Sequence, residues 1–107
     1  MLRKADSYES LYDTFAWTIP ARFNMGVDVC DKHAARDADL PALIVTSSES
    51  DLVTYSFGAI RALSNQAANM FTAHGLVAGD RIAVLLPQSV EAALTHVAAW
   101  KAGLISI

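Results

Sequence analysis

The chain has 107 residues, of which 53% are hydrophobic and 18% are charged. An average soluble domain carries about 25% charged residues, so the apolar surplus here favours a part of a larger protein whose apolar faces are covered elsewhere. The formal net charge of −3, with the Lys and Arg residues scattered, argues against nucleic-acid binding, which needs a clustered basic surface.

Cysteine content and hydropathy bear on the compartment. No apolar run approaches the roughly 18–20 residues of a membrane span, and acidic and polar residues stand where a signal peptide would need its apolar stretch. The single cysteine, Cys30, cannot form an internal disulfide. Because unpaired thiols are typical of reducing compartments, we expect a cytoplasmic protein without a transmembrane segment.

Residues 1–40 are predicted to form a leading segment that is helical or irregular. Aromatic and apolar side chains at three- and four-residue spacing predict a first helix that packs on the rest of the protein, and Pro20 is expected to end or redirect this segment. The stripe consists of Tyr8, Leu11, Tyr12, Phe15 and Ile19. An aromatic ligand box is the alternative, but no polar residue converges on the stripe to support it.

A second short helix is predicted after Asn24, which is placed to cap it. Its inward side is expected to consist of Val27, Val29, Cys30 and His33. The spacing of Cys30 and His33 would suit a metal pair, but zinc sites need three or four ligands and no other His or Cys lies near in sequence. A packing role is therefore the preferred interpretation of both residues.

Residues 41–107 are predicted to form an α/β core that begins with a hairpin. Two β-rich runs, residues 42–46 and 52–55, are joined by the polar residues 47–51. Ser56 is placed to cap the helix that follows, and His74 with Gly75 ends it. The apolar face of this helix is predicted to consist of Phe57, Ile60, Leu63, Ala67, Met70 and Phe71.

The last third of the chain predicts a strand, a helix and the start of another strand. Residues 82–86 form an uninterrupted apolar run between Gly79-Asp80 and Pro87, which is typical of a strand covered on both faces. Residues 88–101 predict a helix, Gly103 stops it, and residues 104–107 begin a strand. The apolar face of the helix is Val90, Ala93, Leu94, Val97 and Ala98. We thus predict an α/β fold: a hairpin followed by a parallel βαβ unit whose sheet is cut at the C-terminus.

The pattern assigns no catalytic, cofactor-binding or metal-binding residue. Gly75 and Gly79 precede a strand, whereas a phosphate-cradling loop follows a strand and opens a helix. His74 is expected to be an exposed helix-end residue that interacts with the last carbonyls. His96 would need an orienting carboxylate to act as a base, and the sequence names none.

The order of short motifs nevertheless resembles a known family. The motifs are VTYSF (53–57), LSNQAAN (63–69), GLVAGDRIAVLLPQS (75–89) and AWKAG (99–103). In this order they resemble the N-terminal part of AMP-forming acyl-CoA synthetases, in the superfamily shared with peptide-synthetase adenylation domains and luciferases. The likeness covers residues 54–107; residues 23–34 and 41–44 are similar to the leading segment of acetyl- and medium-chain-type synthetases. Phe57 and Gly58 depart from the acidic residue and leucine usual after the Thr-Tyr pair.

The resemblance implies a large two-domain ligase that uses ATP, Mg2+ and coenzyme A. A carboxylic acid is converted to an acyl-adenylate and then to a thioester. The phosphate-binding loop, the ribose-binding aspartate and the assisting lysine of such enzymes lie downstream of the matched region. Residues 1–107 would then be part of an N-terminal subdomain, without a catalytic residue and inactive alone.

Other interpretations are left open. The chain could be a stand-alone, non-catalytic α/β module that pairs with a partner, or with itself, through an exposed sheet edge. It could also belong to the adenylation domain of a peptide synthetase.

Overall fold

The structure is a computed structural model that describes residues 4–48 and 51–107, and it has mixed α/β architecture. The predicted α/β class is therefore confirmed, although Glu49 and Ser50 of the predicted hairpin turn lie outside the described residues. The elements in chain order are α1 (Tyr8–Thr14), a π-turn (Val27–Asp31), α2 (Lys32–Arg36), β1 (Pro41–Ser48), β2 (Asp51–Ser56), α3 (Phe57–Ala73), β3 (Arg81–Ile82), α4 (Val90–Lys101) and β4 (Ile105–Ser106).

Strands β1 and β2 form the predicted antiparallel hairpin, in which Val45 lies opposite Val53. β2 runs directly into α3. Ser56 caps this helix as predicted, because its Oγ accepts a hydrogen bond from the Ala59 N–H at 3.3 Å. The hairpin and α3 are thus one continuous unit.

Strands β3 and β4 pair in parallel through α4, which confirms the βαβ unit. Gly103, with φ +73, ends α4 where the sequence predicts. The predicted strand over residues 82–86 is shorter in the structure: the ladder continues only to the Val84 N–H, which donates to the Ile107 carbonyl at 2.8 Å. Leu85 is 98% exposed, so the described residues do not supply the predicted cover at this position.

The core is small and is built largely from small side chains. The buried apolar residues are Cys30, Ala34, Ile60, Ala98, Ala99 and Leu104, and Ser64 is buried among them. Leu63 and Met70 were predicted to face inward but are exposed. The reason is that α3 packs against α4, and Ser64 and Ala98, both fully buried, allow the two helices to approach closely.

The leading segment differs most from its prediction. α1 ends at Thr14 because Phe15 is extended, with φ −70 and ψ 123, so Ile19 and Pro20 lie outside the helix. Tyr8 and Tyr12 stack on each other and are 73% and 71% exposed. The described residues of this chain therefore do not bury the stripe, and its packing on the rest of a larger protein stays a prediction.

The helical segment after Asn24 is capped as predicted, because the Asn24 Oδ1 accepts from the Val27 N–H at 3.1 Å. Its inward side is not the predicted one. Val27 and Val29 are exposed, and Gly26, Cys30 and Ala34 are buried instead. In the π-turn the Lys32 N–H reaches back five residues to the Val27 carbonyl, which widens the turn and changes the face that each residue presents.

Candidate functional site

A cluster of polar side chains surrounds Lys101, the last residue of α4. Its side chain is only 7% exposed. The Nζ lies 2.6 Å from Asp31 Oδ1 and 2.7 Å from Asn65 Oδ1. A buried ammonium is tolerated when carboxylate and amide oxygens replace its water, so these residues hold the cation in place.

The main chain around Lys101 is held as tightly as the side chain. Asn24 Nδ2 donates to the Lys101 carbonyl at 3.0 Å, so Asn24 serves the start of one helix and the end of another. A Cβ on Gly26 would lie 2.6 Å from Lys101 Cγ and 2.8 Å from the Val97 carbonyl oxygen. Only glycine fits there without movement of α4.

The Lys101 cluster was not predicted from the sequence, although a signal for it exists. Lys101 follows Val97 at four residues and Leu94 at seven, which places it on the apolar face of the helix. A charged residue on such a face needs a buried partner. Which partner it takes depends on the fold, because Asp31 comes from the other end of the chain.

A groove of about 300 Å³ lies between the hairpin and the start of α4. His96 lines it, and its Nδ1 lies 3.0 Å from Ser106 Oγ on β4. No carboxylate is among the residues that line the groove, so this pair lacks the group that would orient the ring for proton transfer. The lining residues are Leu43, Val84, Leu86, Pro87, Gln88, Ser89, Ala92, Ala93 and His96.

Cys30 and His33 hold packing positions. Cys30 is 1% exposed, and burial raises the pKa of its thiol; the nearby Asp31 carboxylate also raises it, and the Lys101 ammonium opposes the shift. The ring of His33 stacks on Phe57 with 4.8 Å between centroids. Across residues 4–48 and 51–107, no three His, Cys, Asp or Glu side chains are grouped so that they could hold a metal ion.

His74 lies where the sequence predicts, exposed at the end of α3 with its Nδ1 2.9 Å from the Met70 carbonyl. Gly75 and Gly79 have φ +85 and +96 and form turns that lead into β3. Neither glycine opens a helix, so neither offers the backbone N–H groups of a phosphate loop. The described residues therefore do not fit an ATP or Mg2+ site, and we assign none of them to one. Nor do they include a helix that is both long enough and apolar enough to cross a membrane.

Comparison with known proteins identifies the scaffold. Residues 30–107 match the family model described as AMP-binding enzyme. The chain therefore belongs to the AMP-binding enzyme family, and the predicted family resemblance is confirmed.

Three proteins to which the chain is similar are CoA synthetases. The chain is 39% identical over 94 residues to the mitochondrial acyl-coenzyme A synthetase ACSM4 of Rattus norvegicus, which covers 81% of this chain and 16% of that protein. It is 32% identical over 91 residues to acetyl-coenzyme A synthetase 2 of Saccharomyces cerevisiae, covering 84% of this chain and 13% of that protein. The crystal structure of the Brucella canis acyl-CoA synthetase superposes with a TM-score of 0.72 at 31% identity, over 78% of this chain and 15% of that one. The chain thus spans about a sixth of the length of the ACSM4 relative.

Proposed function

We propose that this chain is the N-terminal scaffold of an ATP-dependent, AMP-forming carboxylate–CoA ligase. The observation that carries the proposal is the superposition on the Brucella canis acyl-CoA synthetase, with a TM-score of 0.72 at 31% identity. The family match over residues 30–107 supports it independently.

The proposed reaction has two steps. A carboxylate oxygen of the acid attacks the α-phosphorus of ATP, the bond to pyrophosphate breaks, and an acyl-adenylate forms. The sulfur of coenzyme A then attacks the acyl carbon and displaces AMP, while the thiol gives up its proton. Mg2+ would neutralise phosphate charge during the first step.

No residue of this chain takes part directly in that reaction in our proposal. The glycines with positive φ precede strands, whereas a phosphate-binding loop opens a helix. Among the described residues, no three His, Cys, Asp or Glu side chains are close enough together to hold a metal ion. The described residues hold a short parallel sheet beside α4, and Lys101 joins α4 to α3 and to the segment that contains Asp31. In open α/β sheets, ligand sites lie beyond the carboxyl ends of the strands, which is the end that Val84 and Ile107 approach.

An ATP–pyrophosphate exchange assay tests the assignment. The 107-residue chain should stay at background with every carboxylic acid tried. A version extended along its source reading frame should exchange in the presence of one class of acid and form a thioester when coenzyme A is added. Exchange by the 107-residue chain alone would overturn the view that the chemistry lies outside it. An extended version that charges a carrier-protein thiol and leaves coenzyme A unmodified would point to a peptide-synthetase adenylation domain.

A second candidate is a non-catalytic interaction module, favoured by one observation. Leu85 and Ile107, here called the rim of the parallel sheet, are apolar and are 98% and 71% exposed. Such a rim can pair with another chain, including a second copy. Sedimentation velocity would show a stable complex that persists on dilution if the module were built to associate.

For the compartment we keep the cytoplasm as the proposal, because Cys30 is a free thiol. The rat relative is named as mitochondrial, which makes the mitochondrion the alternative. Fractionation of cells that express the protein at its natural level, with an antibody to this chain, separates the two.

A further inference from the structure

We propose that residues 24–36, here called the strap, open and close as one unit over α3 and α4, and that Lys101 is the latch that holds the strap closed.

The strap adheres to the core with little apolar surface. Its buried side chains are small: Cys30 is 1% exposed and Ala34 is 5% exposed, while Gly26 has no side chain. Its larger apolar residues, Met25 and Val29, are both 42% exposed. Because the gain from burial scales with the apolar area removed from water, apolar packing alone holds the strap weakly.

The stacking of His33 on Phe57 and the polar contacts to Lys101 supply the rest. Asp31 on the strap reaches the Nζ at 2.6 Å, and Asn24 at its start donates to the Lys101 carbonyl at 3.0 Å. Opening would return both the ammonium and the carboxylate to water, and their hydration offsets part of the lost attraction between them. The free-energy cost of breaking the latch is therefore smaller than the attraction within the ion pair. Asn65 belongs to α3 and keeps its own contact with the Nζ at 2.7 Å. Opening is therefore less costly than unfolding of the whole chain.

The two ends of the strap differ in a way that creates a hinge. Downstream, the Gly58 N–H donates to the Ala38 carbonyl at 2.8 Å and the Phe57 N–H to the Leu40 carbonyl at 2.9 Å. These bonds tie residues 37–40 to the start of α3. Upstream, residues 15–23 are exposed throughout. The strap can therefore swing away from its upstream end while its downstream end stays fixed.

Cys30 gives the motion a direct readout, because it is the only cysteine and the closed strap buries it. Labelling of the native 107-residue chain with N-ethylmaleimide, followed by mass spectrometry, reports how often the strap opens. We expect the labelling rate to rise with urea much less steeply than global unfolding does, since only the strap and its contact surface are exposed. A slope equal to that of global unfolding would overturn the proposal.

Matched variants test the latch itself. Asp31→Asn removes the carboxylate from the Nζ, and this carboxylate also raises the pKa of the Cys30 thiol. The labelling rate of each folded protein is therefore divided by the rate of the same protein unfolded in urea, and we expect this ratio to rise by roughly tenfold or more in Asp31→Asn. Lys32→Met is the control on the same segment: it removes an exposed ion pair with Asp28 and should change labelling by less than about threefold. Equal effects of the two variants would show that Lys101 is not the latch.

The outcome does not depend on the proposed function. Thiol labelling needs no substrate, and an extended ligase with normal exchange activity could still fail this test. If Asp31→Asn does not fold, the urea dependence of labelling in the unaltered chain decides the proposal alone.

Discussion

Position 26 is restricted to glycine by the atoms that surround it and not by its backbone conformation. Its φ of −64 and ψ of −37 are ordinary helical values that any residue adopts. The constraint is the Val97 carbonyl oxygen, 2.8 Å from where a Cβ would be, and this oxygen moves only if α4 moves. Gly103 differs, since its φ of +73 already disfavours other residues.

We therefore predict that Gly26→Ala destabilises the chain by about 1–3 kcal/mol through overpacking, even though alanine favours helix by about 1 kcal/mol elsewhere. The measurement is the free energy of unfolding in urea. Val29→Ala is the control, because that side chain is 42% exposed and its loss should cost less than about 1 kcal/mol. A more stable Gly26→Ala variant would mean that the strap and α4 are not in close contact.

The buried thiol of Cys30 should make the stability of the chain decrease at alkaline pH. Burial raises the pKa of the folded-state thiol above that of the unfolded chain. The stability linked to this group is therefore fully present below the unfolded-state pKa and is lost as the pH rises through the folded-state pKa. We expect the free energy of unfolding to fall at alkaline pH more steeply in the unaltered chain than in Cys30→Ala.

Comparing the two proteins at each pH removes the contribution of the tyrosines, which both retain. Cys30→Ala should be less stable at neutral pH, because a buried sulfur is lost. The difference in free energy of unfolding between the two proteins should become smaller as the pH rises. If this difference in free energy does not change with pH, the thiol is not held neutral by burial.

At the scale of elements, the helix caps offer a matched comparison. Ser56 and Ser89 accept from the N–H groups of Ala59 and Ala92, at 3.3 and 3.4 Å, and start the two helices that form the core. Ser7 caps α1 in the same way, at 3.1 Å from the Ser10 nitrogen. The chemistry is the same, but α1 has no buried residue.

We predict that Ser56→Ala and Ser89→Ala each lower the free energy of unfolding by about 1 kcal/mol, whereas Ser7→Ala leaves it unchanged. The reason is that loss of a cap affects global stability only when the helix is part of the cooperative core. Urea unfolding followed by circular dichroism checks all three. An equal loss with Ser7→Ala would show that α1 packs on the core in solution.

The same contrast explains how far the sequence could predict the elements. Local signals identified the caps at Asn24 and Ser56 and the helix end at Gly103, because each depends on neighbours within a few residues. They did not identify the burial of Ser64 or the pairing of Lys101 with Asp31, because both depend on which helices the fold brings together. That residues 1–107 contain no catalytic residue remains a prediction.

At the scale of the whole molecule, the fold leaves much apolar surface uncovered. The radius of gyration is 17.3 Å, against about 13 Å for a compact domain of this length. Large apolar side chains are exposed at both ends of the chain, from Trp17 at 80% to Leu85 at 98%. The apolar surplus noted in the composition is therefore not used up by the core.

We predict that the isolated chain associates through the rim of its parallel sheet, and that a charge at position 85 prevents this. Leu85 is 98% exposed, so Leu85→Lys and Leu85→Glu should shift sedimentation velocity profiles toward monomer. Their urea midpoints should equal that of the unaltered chain when all are measured at a dilution at which the unaltered chain is monomeric. The two variants change the net charge in opposite directions, so a shared effect would come from lost apolar contact. Leu85→Met keeps the surface apolar and should associate like the unaltered chain. If both charged variants still associate, the contact lies elsewhere. The exposed aromatic residues between Tyr8 and Phe23 then become the next surface to test, because they form another large apolar area that the described residues leave uncovered.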